Sequence, residues 1–390
     1  MPVYLDHAAT SPIRPEVAEE FARHLGVVGN PSSIHAFGQG ARRLVEEARE
    51  QLAVAVGCNR NEVVFTSGGT ESDNLAVKGL YWQRVGADDR RRVIVTAETE
   101  HHAILDACQW LERHDEAELA FVPVDARGAL DLAWLAEFLV ARGSEVALIS
   151  LMWANNETGV VSDIPAVVAL AAEHGIPVHS DAVAAFGHIP IDFAASGLAA
   201  MSITAHKIGG PVGIGALIVS RATKMTALLH GGGHERGMRS GSLNAPASKA
   251  FALAAELAVA EVEARTAEFE AMRDRLIAGV LSLAPDAVLT RADAPGLPNN
   301  AHFTFAGCTG DSLLFLLDMA GVSISTGSAC TAGVPRASHV VMATGRTENE
   351  AIGSMRVTLG WNTTDDDVDA LLAALPEAYA GAKKAGLNAR

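Results

Sequence analysis

The chain is short of several things, and each shortage removes a class of function. Its four cysteines (Cys58, Cys108, Cys308 and Cys330) are far apart and form no Cys-x-x-Cys pair. That argues against a zinc site or a disulfide framework and fits a reducing cytoplasm. The fourteen histidines are scattered, and the tight groups His101-His102 and His179-x-Asp181 lack a third partner at metal-ligand spacing, so no metal is expected. Basic residues number 30 against 46 acidic, a net charge of −16 that disfavours direct nucleic-acid binding and leaves room for a basic protein partner. No uncharged apolar run approaches the roughly 18 residues of a membrane span. Even the alanine-rich stretch 251–262 is broken by Glu256 and Glu261. Residues 1–7 show no basic segment followed by an apolar one, so no signal peptide is expected there. Internal repeats and low-complexity tracts are absent too.

What is present is a large soluble chain of 390 residues, 49% apolar and 19% charged, long enough for two domains. Short apolar runs alternate with amphipathic ones. Strands are expected over 62–66, 93–96, 120–124, 146–152, 176–181, a run ending near 201, and 214–220. Helices are expected over 15–25, 41–56, 74–82, 103–111, 130–142 and 164–174. Repeated strand–helix–strand units imply an α/β fold with a mostly parallel sheet covered on both faces. A long helix over about 247–277 leads to a smaller α+β unit. There, strands are expected over 300–305, 322–325 and 355–359, with helices over 311–320 and 366–379 and a fraying tail over 381–390. The expected division is a large domain over 14–250 and a small one formed by 1–13 with 251–390.

In parallel sheets ligands gather at the carboxyl ends of the strands. The groups there are Gly68-Gly69-Thr70, Glu100-His101-His102, Asn155-Asn156-Glu157, Asp181 and Thr204-Ala205-His206-Lys207. Lys207 and Asp181 end two consecutive strands, so an amine and a carboxylate come side by side. That is the pairing pyridoxal phosphate needs: a Schiff-base amine and an acid for its pyridine nitrogen. Gly68-Gly69 fits a phosphate-binding helix start, and fits equally a tight turn capped by Thr70 or Ser72. Ser325-Thr326-Gly327-Ser328-Ala329-Cys330-Thr331-Ala332-Gly333 sets one thiol among small residues, as a nucleophile needs, whereas Cys58, Cys108 and Cys308 read as packing residues.

Six segments then occur in order: Thr66-Ser-Gly-Gly-Thr-Glu-Ser-Asp-Asn74, Glu98-Thr-Glu-His-His102, Ala154-Asn-Asn-Glu-Thr-Gly159, Ala205-His-Lys207, Arg236-Gly-Met-Arg-Ser-Gly241 and Gly327-Ser-Ala-Cys330. Together they resemble the cysteine desulfurase family (NifS/IscS-like), of the class V aminotransferase fold, over nearly the whole chain. The Ser-Ala-Cys-Thr-Ala-Gly stretch resembles the subgroup with an extended, mobile cysteine loop.

The resemblance implies pyridoxal phosphate held as a Schiff base by Lys207, with Asp181 on the pyridine nitrogen and His101 stacked on the ring and moving protons. It puts Asn156 at the phenolic oxygen, and Gly69, Thr70, Thr204 and His206 at the phosphate. Ser242, where the family more often has Thr, would reach the phosphate of a neighbouring protomer, which implies a homodimer. Arg356 with Asn30 would hold the carboxylate of L-cysteine. Cys330 would take the sulfur as a persulfide and pass it to an acceptor protein, either an iron–sulfur scaffold or a thiolation enzyme. One departure stands out: the family usually has Gln where this chain has Ala184. Selenocysteine lyase, another class V C–S lyase, and a weakly active sulfur-transfer scaffold remain open alternatives.

Overall fold

Strand Val178–Asp181 is buried at every position, and so are its neighbours in the sheet. A strand covered on both faces has no solvent side to reward alternation, which is why these segments read as continuous apolar runs. The computed structural model describes residues 2–327 and 337–388. Its main sheet has seven strands in the order Val63–Thr66, Gly215–Val219, Ala200–Thr204, Val178–Asp181, Val146–Ser150, Val93–Thr96, Glu118–Phe121. Gly215–Val219 runs antiparallel to both neighbours, and the remaining pairs are parallel. This is the α/β, mostly parallel sheet expected. Asp181 stands opposite Ser202 in register, so Asp181 and the chain beyond Thr204 emerge from the same edge.

A second core gathers around an antiparallel sheet of Ser354–Thr358, Asn300–Phe305 and Ala287–Leu289. Leu5 is buried in that core, and Val3–Tyr4 pairs in parallel with Val322–Ser323. Helix Ala245–Leu283 serves both cores: Ala250, Phe251, Ala254 and Ala258 pack into the first, Met272, Leu276 and Val280 into the second. Its 39 residues span about 58 Å, so one rigid rod crosses between them.

Two expectations need correction, and one strand lies where none was expected. Helix Gly69–Ala87 begins five residues before position 74, and its N-cap is Gly68, at φ 154°, not Thr70 or Ser72. A Cβ at Gly69 would lie 2.8 Å from Val183 Cγ2, so the glycine is there for close approach rather than for a turn alone. The C-terminal helix runs Asp365–Asn388 and does not fray from 381. Ala382 is fully buried, and a Cβ at Gly381 would meet Leu316 at 2.7 Å, so packing holds what composition alone suggested was loose. Finally, strand Ala287–Leu289 was hidden by the polar residues that surround it.

Candidate active site

At the carboxyl edge of the main sheet lies a cavity of about 270 Å³. Gly69, Thr70, His101, Asn156, Asp181, Thr204, His206 and Lys207 all line it. They arrive from five places: Gly69 and Thr70 from one helix start, His101 and Asn156 from the chain after two strands, Asp181 from a strand end, and Thr204, His206 and Lys207 from the next. Arg356, Asn30 and Ser242 do not line it. Asn30 is exposed, its Oδ1 accepting from the Ser32 N–H at 2.9 Å. Ser242 is exposed on the loop after 230–241. Arg356 is buried behind the wall, donating from Nη1 to the Asn156 carbonyl (2.9 Å) and from Nη2 to Asp6 Oδ1 (2.7 Å). Cys330 lies outside the described residues.

Lys207 Nζ donates to the carbonyl oxygens of Ala8 and Ala9, the latter at 2.9 Å. Burial, reinforced by the nearby Arg356 charge, lowers its pKa to about 8, against the pull of Asp6 and Asp181. A sizeable free-amine fraction near neutral pH is what attack on an aldehyde requires. Asp181 accepts from the Val183 N–H at 2.8 Å, and burial raises its carboxyl, with His101 and Lys207 opposing. His101 caps helix His102–His114, its Nδ1 accepting from the Ala103 N–H at 3.1 Å, so the proton of the neutral ring sits on Nε2. Desolvation against the cavity wall lowers its pKa while Asp181 raises it. His206 is lowered to about 4 by burial and then by Lys207.

The sequence reading missed Asp73. It lines the cavity and is 1% exposed, and its Oδ1 has no hydrogen-bond partner. Burial, then the Asp181 charge, pushes its carboxyl well above the usual range. His179, itself lowered to about 3 by burial, lies 3.8 Å from Asp73 and bonds Ser150 and Ser202 at 3.0 Å each. A signal was available: Asp73 falls on the buried face of its helix, one turn after Gly69 and beside Leu75, Ala76 and Val77. His7 and His188 also line the cavity, both lowered to about 4 chiefly by burial. Ala184 lines it as well.

The arrangement suits an anionic aromatic aldehyde. Helix Gly69–Ala87 starts at the cavity without a side-chain cap, which leaves its first N–H groups suited to an anion there. A buried carboxyl and a buried amine stand on neighbouring strand ends. Among the described residues no cluster of His, Cys, Asp and Glu could hold a metal ion.

Comparison with known proteins agrees with this geometry. The Aminotransferase class-V family model matches residues 3–371. The chain is 49% identical over 387 residues to an IscS-like cysteine desulfurase of Mycobacterium tuberculosis, covering 99% of this chain and 98% of that one. A solved NifS-like protein superposes with a TM-score of 0.90 at 32% identity, over 97% of this chain and all of the other. A structure of SspA in complex with cysteine superposes at 0.79 with 30% identity, over 92% and 98%. The chain thus belongs to the class V aminotransferase family, and within it to the IscS-like cysteine desulfurases.

Proposed function

We propose that the protein converts L-cysteine to L-alanine with pyridoxal phosphate on Lys207, transferring the sulfur to Cys330. The observation that carries this is the buried Lys207 amine, its pKa lowered to about 8, set beside the Asp181 carboxyl in one cavity with a helix start. The cofactor, when bound, supplies an electron sink that labilises the bonds of the substrate's α- and β-carbons. Gly69, Thr70, Thr204 and His206 would hold its phosphate, Asp181 its ring nitrogen and Asn156 its phenolic oxygen, with the His101 imidazole over the ring.

The chain's own residues do the rest. Released Lys207 accepts the substrate's α-proton and returns it, its lowered pKa suiting both directions. His101, neutral with its Nε2–H available, moves protons within the cavity it lines. Arg356 holds the substrate carboxylate, with Asn30 as the assisting amide. The Cys330 thiolate attacks the substrate sulfur: the S–S bond forms, the Cβ–S bond breaks, and a proton replaces sulfur on Cβ. L-cysteine and the Cys330 thiol thereby become L-alanine and a Cys330 persulfide, with atoms and electrons balanced.

The persulfide is then passed, in this reading, to an iron–sulfur scaffold or a thiolation enzyme in the cytoplasm. Ser242 completes the phosphate site of a second protomer in a homodimer; its exposure within the single chain is compatible with that role. Among the described residues no helix is long and apolar enough to cross a membrane. The test measures alanine and Cys330-bound sulfur in the protein and in Cys330→Ser. The variant should keep its colour and make no persulfide; sulfide release undiminished in it would remove Cys330 from the reaction.

A further inference from the structure

Arg356 is fixed from two sides. Its backbone exchanges hydrogen bonds with Ser325, at 2.7 and 3.2 Å, and its guanidinium bonds Asn156 and Asp6. Its side chain is 4% exposed and its Nε is buried without a partner, whereas Asp6 is 19% exposed. The solvent-facing member of the pair is therefore the carboxylate. Asp6 is itself held in place, its carbonyl accepting from the Tyr4 hydroxyl at 3.0 Å and from the Ala9 N–H at 3.0 Å. The next residues, Ala8 and Ala9, take the Lys207 amine. One short segment, residues 6–9, thus holds both the Arg356 guanidinium and the Lys207 amine.

We propose that Asp6 is an internal stand-in for the substrate's α-carboxylate, occupying Arg356 in the substrate-free chain and surrendering it when an amino acid arrives. This rests on the reading of Arg356 as the substrate-carboxylate ligand. Two carboxylates on one guanidinium repel each other, so entry is an exchange of like for like. In such an exchange the carboxylate contributes little net affinity, because the bond gained replaces a bond lost. Asp6 then sets how strongly the site discriminates amino acids from simple amines, and it excludes lone monocarboxylates.

The test uses the holoenzyme and reads binding from the cofactor absorbance. The ligands are L-alanine, ethylamine (alanine without its carboxylate) and, as competitor, propionate (alanine without its amine). In the unmodified enzyme alanine should bind less than about tenfold better than ethylamine; a larger ratio overturns the proposal. Asp6→Asn should raise that ratio about tenfold, make propionate a competitor, and lower the KM for L-cysteine, while Asp6→Glu restores the parent values. An unchanged or smaller ratio, or a raised KM as loosening of Arg356 alone would give, overturns it. Asp6→Ser carries the same expectation should Asp6→Asn fail to show the parent's melting transition, and the parent ratio decides should neither fold. Arg356→Gln separates the two readings. If it leaves alanine affinity unchanged, Arg356 is not the carboxylate ligand; if it weakens alanine while Asp6→Asn changes nothing, the stand-in role alone fails.

Discussion

The Lys207 amine donates to the Ala9 carbonyl at 2.9 Å, so the reactive nitrogen is tethered by the N-terminal segment and not by a carboxylate. A carboxylate partner would hold the proton on. Burial, carbonyl acceptors and the Arg356 charge behind the wall leave the pKa at about 8.

The first prediction follows from that value. Apoprotein should condense with pyridoxal phosphate at a rate that rises with pH through a midpoint near 8, against about 10.4 for an unperturbed lysine. The folded amine binds fewer protons than the unfolded one between these values, so apoprotein stability should also rise with pH across that window. Stopped-flow absorbance gives the rate; a midpoint near 10 would contradict the assignment.

Ala184 lines the cavity, and its methyl group cannot donate to a cofactor's phenolic oxygen as the Gln expected from the family resemblance would. One such bond is worth about 1 kcal/mol, too little to abolish cofactor binding. Ala184→Gln should retain the cofactor and shift the pH midpoint of its Lys207-linked absorbance band. An unchanged titration would show that the missing amide is already replaced.

Arg49 and Glu235 form a buried ion pair, 4% and 1% exposed, with contacts of 2.7 and 2.8 Å. Glu235 also accepts from the Phe65 N–H, tying the loop 230–242 to the first strand of the main sheet. Glu235→Ala leaves the Arg49 charge buried without that partner and should cost about 3–5 kcal/mol in urea unfolding. A loss below about 1 kcal/mol would mean that water reaches the guanidinium.

His302 is fully buried, its Nε2 has no partner, and burial, with Arg356 and Arg346 nearby, lowers its pKa to about 3. The unfolded ring binds a proton near 6.5 and the folded one does not until about 3, so stability from this group is lost as pH falls through that range. The buried acids Asp73, Glu100 and Asp181, all raised, act in the opposite sense. Comparing parent with His302→Asn isolates the histidine: the variant's Tm should fall less between pH 6.5 and 4. Parallel curves would contradict it.

Much of this is legible in the amino-acid sequence. Val93–Thr96 and Asn300–Phe305 fall at the expected bounds because the first is a β-branched run that follows Arg90-Arg91-Arg92 and the second stops just before Gly307. The lining residues Asp181, Thr204 and Lys207 were found because strand ends in a parallel sheet collect at one edge. Asp73 is the exception: a lone acid inside a helix usually faces water, and its only mark in the sequence is its place one turn after Gly69 beside the apolar Leu75, Ala76 and Val77. The Asp6–Arg356 pair is not legible either, since its members are 350 positions apart in sequence. The helical C-terminus escaped notice for the same reason: its support comes from Leu316 and Gly307, remote in the chain.

The most direct test is borohydride reduction of the purified protein followed by peptide mass spectrometry. The account predicts a yellow protein bleached by reduction, with one pyridoxyl group on the peptide containing Lys207. A colourless protein without an adduct, or an adduct on Lys78 or Lys249 instead, would contradict it.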